Sequence, residues 1–210
     1  MPLILGTNSI KDTGYNVANS LRFNDGSSDH LTRTPSSAGN RRTFTISTWV
    51  KKSNNTARST IIGTPTTSTP GNNGFFLRFD TDAKLKFLGN GGNMNVTTNQ
   101  VFRDVSAWYH IVLAVDTTQA TASNRLKFYV NNEQITSFSS TTYPSQNLEL
   151  LWNNTNANYI GTQDDGGLTE YFDGYMAEVV NIDGQQLDPT SFGEFDEDSP
   201  TIWKPKDVSG

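Results

Sequence analysis

The sequence predicts an all-β domain, a sandwich or barrel of short antiparallel strands. Three observations predict it. Apolar residues recur with period two, and no stretch keeps a helical period. Gly, Asn, Thr and Ser are abundant while charged residues make up 18% of the chain, the profile of many short strands joined by polar turns. Turn signals separate the strand-like runs at intervals of roughly 8–15 residues.

The elements follow in chain order. Ser20-Leu-Arg-Phe23 is a short strand closed by Asp25-Gly26. In Phe44-Thr-Ile-Ser-Thr-Trp-Val-Lys51, Phe44, Ile46, Thr48 and Val50 share one face, and Trp49 lies on the other with Thr45 and Ser47. Ser59-Thr-Ile-Ile62 is a shorter candidate. The turn Pro70-Gly-Asn-Asn-Gly74 leads into a strand with Phe75, Leu77 and Phe79 inward, and Lys84-Leu-Lys-Phe-Leu88 ends at Asn90-Gly-Gly-Asn93. Trp108 to Asp116 is apolar on both faces, with Tyr109, Ile111, Leu113 and Val115 on one side and Trp108, His110, Val112 and Ala114 on the other. It reads as a central strand covered on both sides. Leu126, Phe128 and Val130 point inward in the next strand, and Asn131-Asn132 is a tight turn with positive φ leading to Gln134-Ile135. Asn158-Tyr-Ile-Gly161 and Tyr175 to Ile182 complete the set, with turns at Asp165-Gly-Gly167 and Asp183-Gly184. Alternation puts Glu178 on the face of Met176 and Val180 unless a bulge intervenes; its role reads as structural, with Arg22, Arg41 and Arg42 as candidate partners.

The expected organisation is a lead-in arm over 1–18, one domain over 19–186, and a tail over 187–210. Leu187 to Gly193 reads as a turn entering a short helical turn, followed by the acidic run Glu194-Phe-Asp-Glu-Asp198. The tail is expected to cross the domain's surface or a partner's, with Phe192 and Trp203 as docking anchors.

Bulk properties exclude several functions. A chain of 210 residues can bury a core without staples, and the absence of cysteine rules out disulfides, thiolate metal sites and cysteine nucleophiles. A net charge of −5 argues against nucleic acid, where Lys and Arg must neutralise phosphates. No apolar run approaches the roughly 20 residues of a membrane span. Met1 to Gly6 lacks the basic segment and long apolar core of a secretory signal.

Six blocks then carry a family resemblance. Asn19-Ser-Leu-Arg-Phe-Asn-Asp-Gly26, Phe44 to Lys51, Val105-Ser-Ala-Trp-Tyr-His-Ile-Val112, Phe128-Tyr-Val-Asn-Asn-Glu133, Asn158 to Gly161 and Phe172-Asp-Gly-Tyr-Met-Ala-Glu-Val179 resemble, in order, the signature strands of laminin-G-like domains. Asn132 stands where that family usually has Gly. The resemblance implies a two-sheet antiparallel jelly-roll sandwich of the concanavalin A-like type. Leu31 to Arg42, Phe172 to Glu194 and Trp203 to Lys206 further resemble a subgroup found in structural and tail proteins of tailed bacteriophages. That implies a virion component made in the host cytoplasm and present in multiple copies or as a homo-oligomer. Its partners would be capsid or tail subunits and host-surface glycans.

The chemistry is read against that background. Glycoside hydrolysis needs two carboxylates held several ångströms apart, and Glu194 to Asp198 lacks that spacing, so no enzyme is expected. His110 reads as a packed structural histidine. Calcium is the one candidate cofactor: Asn24, Asp25 and Asp29 after the first strand, with Asp164, Asp165 and Asp173 before the last, offer oxygen ligands, although Asn and Asp more often cap turns. Trp152, Asn153, Asn154 and Tyr143 have the composition of a sugar site. The expected role is a decoration, fibre or tail-associated module, the rival is a structural protein cementing capsid or tail subunits, and a glycan-degrading enzyme ranks third.

Overall fold

The computed structural model describes residue 15 and residues 17–66, 74–89 and 93–208. Most of the expected lead-in arm, and parts of the turns at 70–74 and 90–93, lie outside them. Seventeen strands are defined among the described residues. They are β1 (Leu21–Phe23), β2 (Leu31–Arg33), β3 (Thr43–Lys52), β4 (Ser59–Gly63), β5 (Phe75–Phe79), β6 (Lys84–Gly89), β7 (Met94–Val101), β8 (Tyr109–Asp116), β9 (Leu126–Val130), β10 (Glu133–Ile135), β11 (Phe138–Thr142), β12 (Asn158–Ile160), β13 (Gln163–Asp164), β14 (Leu168–Thr169), β15 (Gly174–Asp183), β16 (Gly193–Phe195) and β17 (Trp203–Pro205).

Two antiparallel sheets form the sandwich, one in the order β1-β15-β3-β8-β9-β10 and the other in the order β11-β7-β6-β5-β4-β12-β2. Two hairpins, β13-β14 and β16-β17, stand outside them. The jelly-roll sandwich is therefore the architecture, and the period-two faces lie as the sequence dictates. Phe44, Ile46 and Val50 of β3, Ile111, Leu113 and Val115 of β8, and Leu126 and Phe128 of β9 meet Phe75, Leu77 and Phe79 of β5 and Phe87 of β6 in one apolar core. Aromatic rings dominate it: Phe75 lies 4.8 Å from Phe87 and 6.3 Å from Phe44, and Phe23 meets Phe172 edge-on at 6.1 Å. Gly161, at φ +87, has no room for a side chain, since a Cβ there would come within 2.7 Å of the Phe23 ring. Gly174, at φ +145, lets the start of β15 lie against the Lys51 carbonyl.

Both Asn131 and Asn132 adopt positive φ, 50° and 71°, and turn β9 into β10. The tail enters by a 3-10 turn over Pro189–Ser191, with the Asp188 side chain accepting from Thr190 N. Three strands of the sandwich, β2, β7 and β11, and the four of the small hairpins are not evident in the sequence; in β7 and β11 polar Asn, Thr and Ser residues fill the alternation. The acidic run is not a free tail: Glu194 and Phe195 belong to β16, paired with β17.

A candidate ligand cleft on the outer face

The outer face of the six-stranded sheet is buried because something covers it. Thr45, Ser47, Trp49, His110, Val112 and Ala114 all point away from the core, yet all are buried. The cover is the C-terminal segment. Thr45 Oγ1 donates to Gln185 O and accepts from Leu187 N, and Gln186 Nε2 donates to Asn124 O. Trp203 Nε1 donates to His110 Nδ1 at 2.9 Å. An indole N–H can only donate, so Nδ1 is the acceptor. The imidazole proton then sits on Nε2, 2.8 Å from Ser47 Oγ. Trp49 stacks on His110 at 4.8 Å and 14°. Burial pushes the His110 pKa down to about 4.

The cover stops short and leaves a cavity of about 500 Å³, well within the range of small-ligand sites. Trp49, Trp108 and Ala177 line it together with Tyr15, Val17, Ala18, Asn19 and Ser20 and with Lys204 and Pro205 of β17. Trp108 is 37% exposed and Tyr15 36%. The Trp49 indole N–H is buried and has no hydrogen-bond partner among the described residues. A buried unpaired donor costs about 1–3 kcal/mol, so such a group calls for an explanation.

A β-bulge shapes the adjoining wall. Between Ala177 and Val180 the β15–β3 register shifts by one residue, and Glu178 takes φ +49°. The extra residue turns the Glu178 side chain out of the regular alternation. Its carboxylate accepts from Tyr15 Oη at 3.0 Å, and that bond holds the Tyr15 phenol above its ordinary pKa. Glu178 lines a second groove of about 300 Å³ that shares Asn19, Ser20 and Ala177 with the first. On the opposite wall Lys204 bridges Asp196 at 3.2 Å and Glu194 at 3.8 Å, and the Lys204 bond holds the Asp196 carboxyl below the usual range. The expected arginine partners of Glu178 are elsewhere: Arg41 and Arg42 both pair with Glu149.

The site residues singled out in the sequence, the tail anchors Phe192 and Trp203 included, do not line this cleft. Trp152 is no exposed platform: it is 7% exposed, packs 6.2 Å from Phe75 and donates to Asn181 Oδ1. Its core position follows from the loop folding inward. Asn153, at φ +60, donates to Asn40 O and Asp183 Oδ1, bonds that tie loops together. Asn154 bonds Leu151 O through its backbone. Tyr143 packs against the core and lines a separate groove with Phe138 and Lys127. Five of the six oxygen ligands proposed for calcium hold hydrogen bonds within turns or between loops. Asn24 Oδ1 caps Gly26 N and Asp29 accepts from Asn24 N. Asp164 accepts from Gly167 N, Asp165 from Thr66, and Asp173 from Asn54. Asp25 is exposed, within the 3-10 turn that Asn24 caps. No group of three acidic, His or Cys side chains placed to hold a metal occurs among the described residues. Phe192 is buried and Trp203 half-buried on the chain's own sheet. The residues that build the cleft carried one signal in the sequence: Trp49 and Trp108, large aromatics on the outer side of central strands.

This arrangement of two sheets defines a lectin-type jelly roll. The Laminin_G_3 family model, described as the concanavalin A-like lectin/glucanases superfamily, matches residues 25–184, and the chain belongs to that family. Comparison with curated protein sequences gives no match. Solved structures share the fold at low identity. The mouse laminin alpha1 LG4-5 domains align with a TM-score of 0.51 and 12% identity, over 81% of this chain and 46% of that one. The Ruminococcus gnavus IT-sialidase CBM40 aligns at 0.50 and 14% identity, over 78% and 95%. A Limulus polyphemus SAP-like pentraxin aligns at 0.48 and 15%, over 72% and 68%. The match covers 22% of a Trypanosoma rangeli sialidase, so this chain spans a small part of that enzyme's length.

Proposed function

We propose that the chain is a non-catalytic carbohydrate-binding module carried on the surface of a bacteriophage particle, where it contacts glycans of the host surface. The observation that carries the binding reading is the cleft: an aromatic floor and wall, half-exposed Trp108 and Tyr15, and an unpaired indole donor. Saccharides present apolar C–H faces that lie on aromatic rings and hydroxyls that need hydrogen-bond partners, and amphipathic aromatics suit both demands. The carbohydrate-binding domain among the similar structures is consistent with this reading, although at 14% identity it speaks for the fold alone. The particle placement rests on the resemblance of residues 31–42, 172–194 and 203–206 to phage proteins. Weak single-site contacts would gain useful strength from repeated copies.

The test is a glycan array followed by calorimetry with the best hit, on the native chain and on Trp108→Ala. Native binding reduced at least about tenfold in the variant, with an unchanged melting temperature, supports the reading. Equal binding by both proteins removes Trp108, and with it this cleft, from the account.

A further inference from the structure

Resting on that reading, we propose that the cleft selects neutral, hydroxyl-rich saccharides over acidic ones, and that Glu178 is the residue that makes the distinction. The bulge is the first ground. A regular β15 would leave this position in the alternation of the sheet; the extra residue and the φ of +49° present a carboxylate to the second groove instead, bonded to Tyr15 of the first. Non-glycine residues adopt this backbone at a cost and persist where the surroundings hold them.

The second ground is hydrogen-bond capacity. An ionised carboxylate only accepts, with about four lone-pair directions. Tyr15 Oη uses one of them, at Oε2. What remains suits the paired hydroxyls of a neutral sugar, each of which brings a proton. A sugar carboxylate brings no proton to that position and adds a like charge.

The third ground is the balance of charge. The cation on the wall, Lys204, is already held by Asp196 and Glu194. Asp207 lies close enough to help raise the Tyr15 phenol. The Glu178 carboxylate itself is bonded to a phenol rather than to a cation, so an anionic group placed beside it meets a like charge. The unpaired Trp49 N–H at the floor asks only for an oxygen acceptor, which a ring or hydroxyl oxygen of a neutral sugar supplies.

The experiment uses the whole chain, with calorimetry against a panel of neutral oligosaccharides built on glucose, galactose and mannose and a matched panel carrying sialic or uronic acids. The expected result is binding of neutral members and at least about tenfold weaker binding of acidic ones. Glu178→Gln should weaken neutral binding about tenfold, the loss of a hydrogen bond to a charged group, and narrow the gap between the panels. Glu178→Asp keeps the charge and should keep the exclusion even where it loses affinity, which guards against a variant that merely folds poorly. Acidic members binding as tightly as neutral ones, or a gap unmoved by Glu178→Gln, overturns the selectivity and leaves the carbohydrate reading standing. Binding to neither panel overturns the carbohydrate reading and this inference with it.

Discussion

His110 shows how much chemistry one buried side chain can hold. It accepts from Trp203, stands against Ser47 through Nε2 and carries Trp49 on its face. Protonating Nδ1 would set two N–H groups against each other, and burial already lowers its pKa from 6.5 to about 4. Between those values the unfolded chain binds a proton that the folded chain does not. Stability contributed by the neutral imidazole is therefore complete above pH 6.5 and is lost as pH falls toward about 4. The loss should reach about 3 kcal/mol, measurable as a falling urea midpoint across that window, and should flatten in His110→Phe. The other surprise at this scale is Trp152. Sequence composition could not separate a tryptophan that floors a sugar site from one that fills a core, because both sit in Asn-rich loops. Only the inward course of the loop, fixed by contacts far along the chain, decides it. Trp49 was more legible, since an outward tryptophan on a central strand must be covered or used, and here it is buried against His110.

At the level of elements, period two located the core strands because their inner positions are Phe, Leu, Ile and Val. It missed the short, exposed edge strand β2, it missed β7 and β11, where Thr97, Thr98, Asn99, Ser139 and Ser140 blur the alternation, and it could not place the bulge at Glu178, which no local residue announces. The β9-β10 turn was legible because two consecutive asparagines favour left-handed backbone. That turn makes a direct prediction. Asn132 at φ +71° should tolerate Gly with little change, whereas Asn132→Val should cost about 1–2 kcal/mol, read from thermal or urea unfolding. The C-terminal hairpin bears on the rival, cementing role. That role would use the tail as a docking arm, yet Phe192 is 4% exposed and Trp203 is bonded to His110 on the chain's own sheet. The side chains left outward there are Phe195 and Ile202, and any partner contact at the tail would go through them.

For the whole molecule, six signature blocks in order fixed the two-sheet architecture, and the family match over residues 25–184 places the chain accordingly. Function was less legible for a physical reason. The cleft is built where the lead-in, the bulged β15 and the tail come together, so its residues lie near positions 15, 49, 108, 178 and 204 with no shared motif. The proposed particle role predicts a location: antibody label on intact phage should mark tail tips or fibres, and label spread evenly over the head would favour cementing. The central claim, that this cleft is the binding site, has a sharper test. The chain has four tryptophans, so nitrogen-15 spectra give four indole N–H signals that can be assigned by substitution. Titration with the best-binding saccharide should move the Trp49 and Trp108 signals and leave Trp152, bonded to Asn181 in the core, in place. Shifts confined to Trp152, or a bound ligand that moves neither Trp49 nor Trp108, would contradict the account.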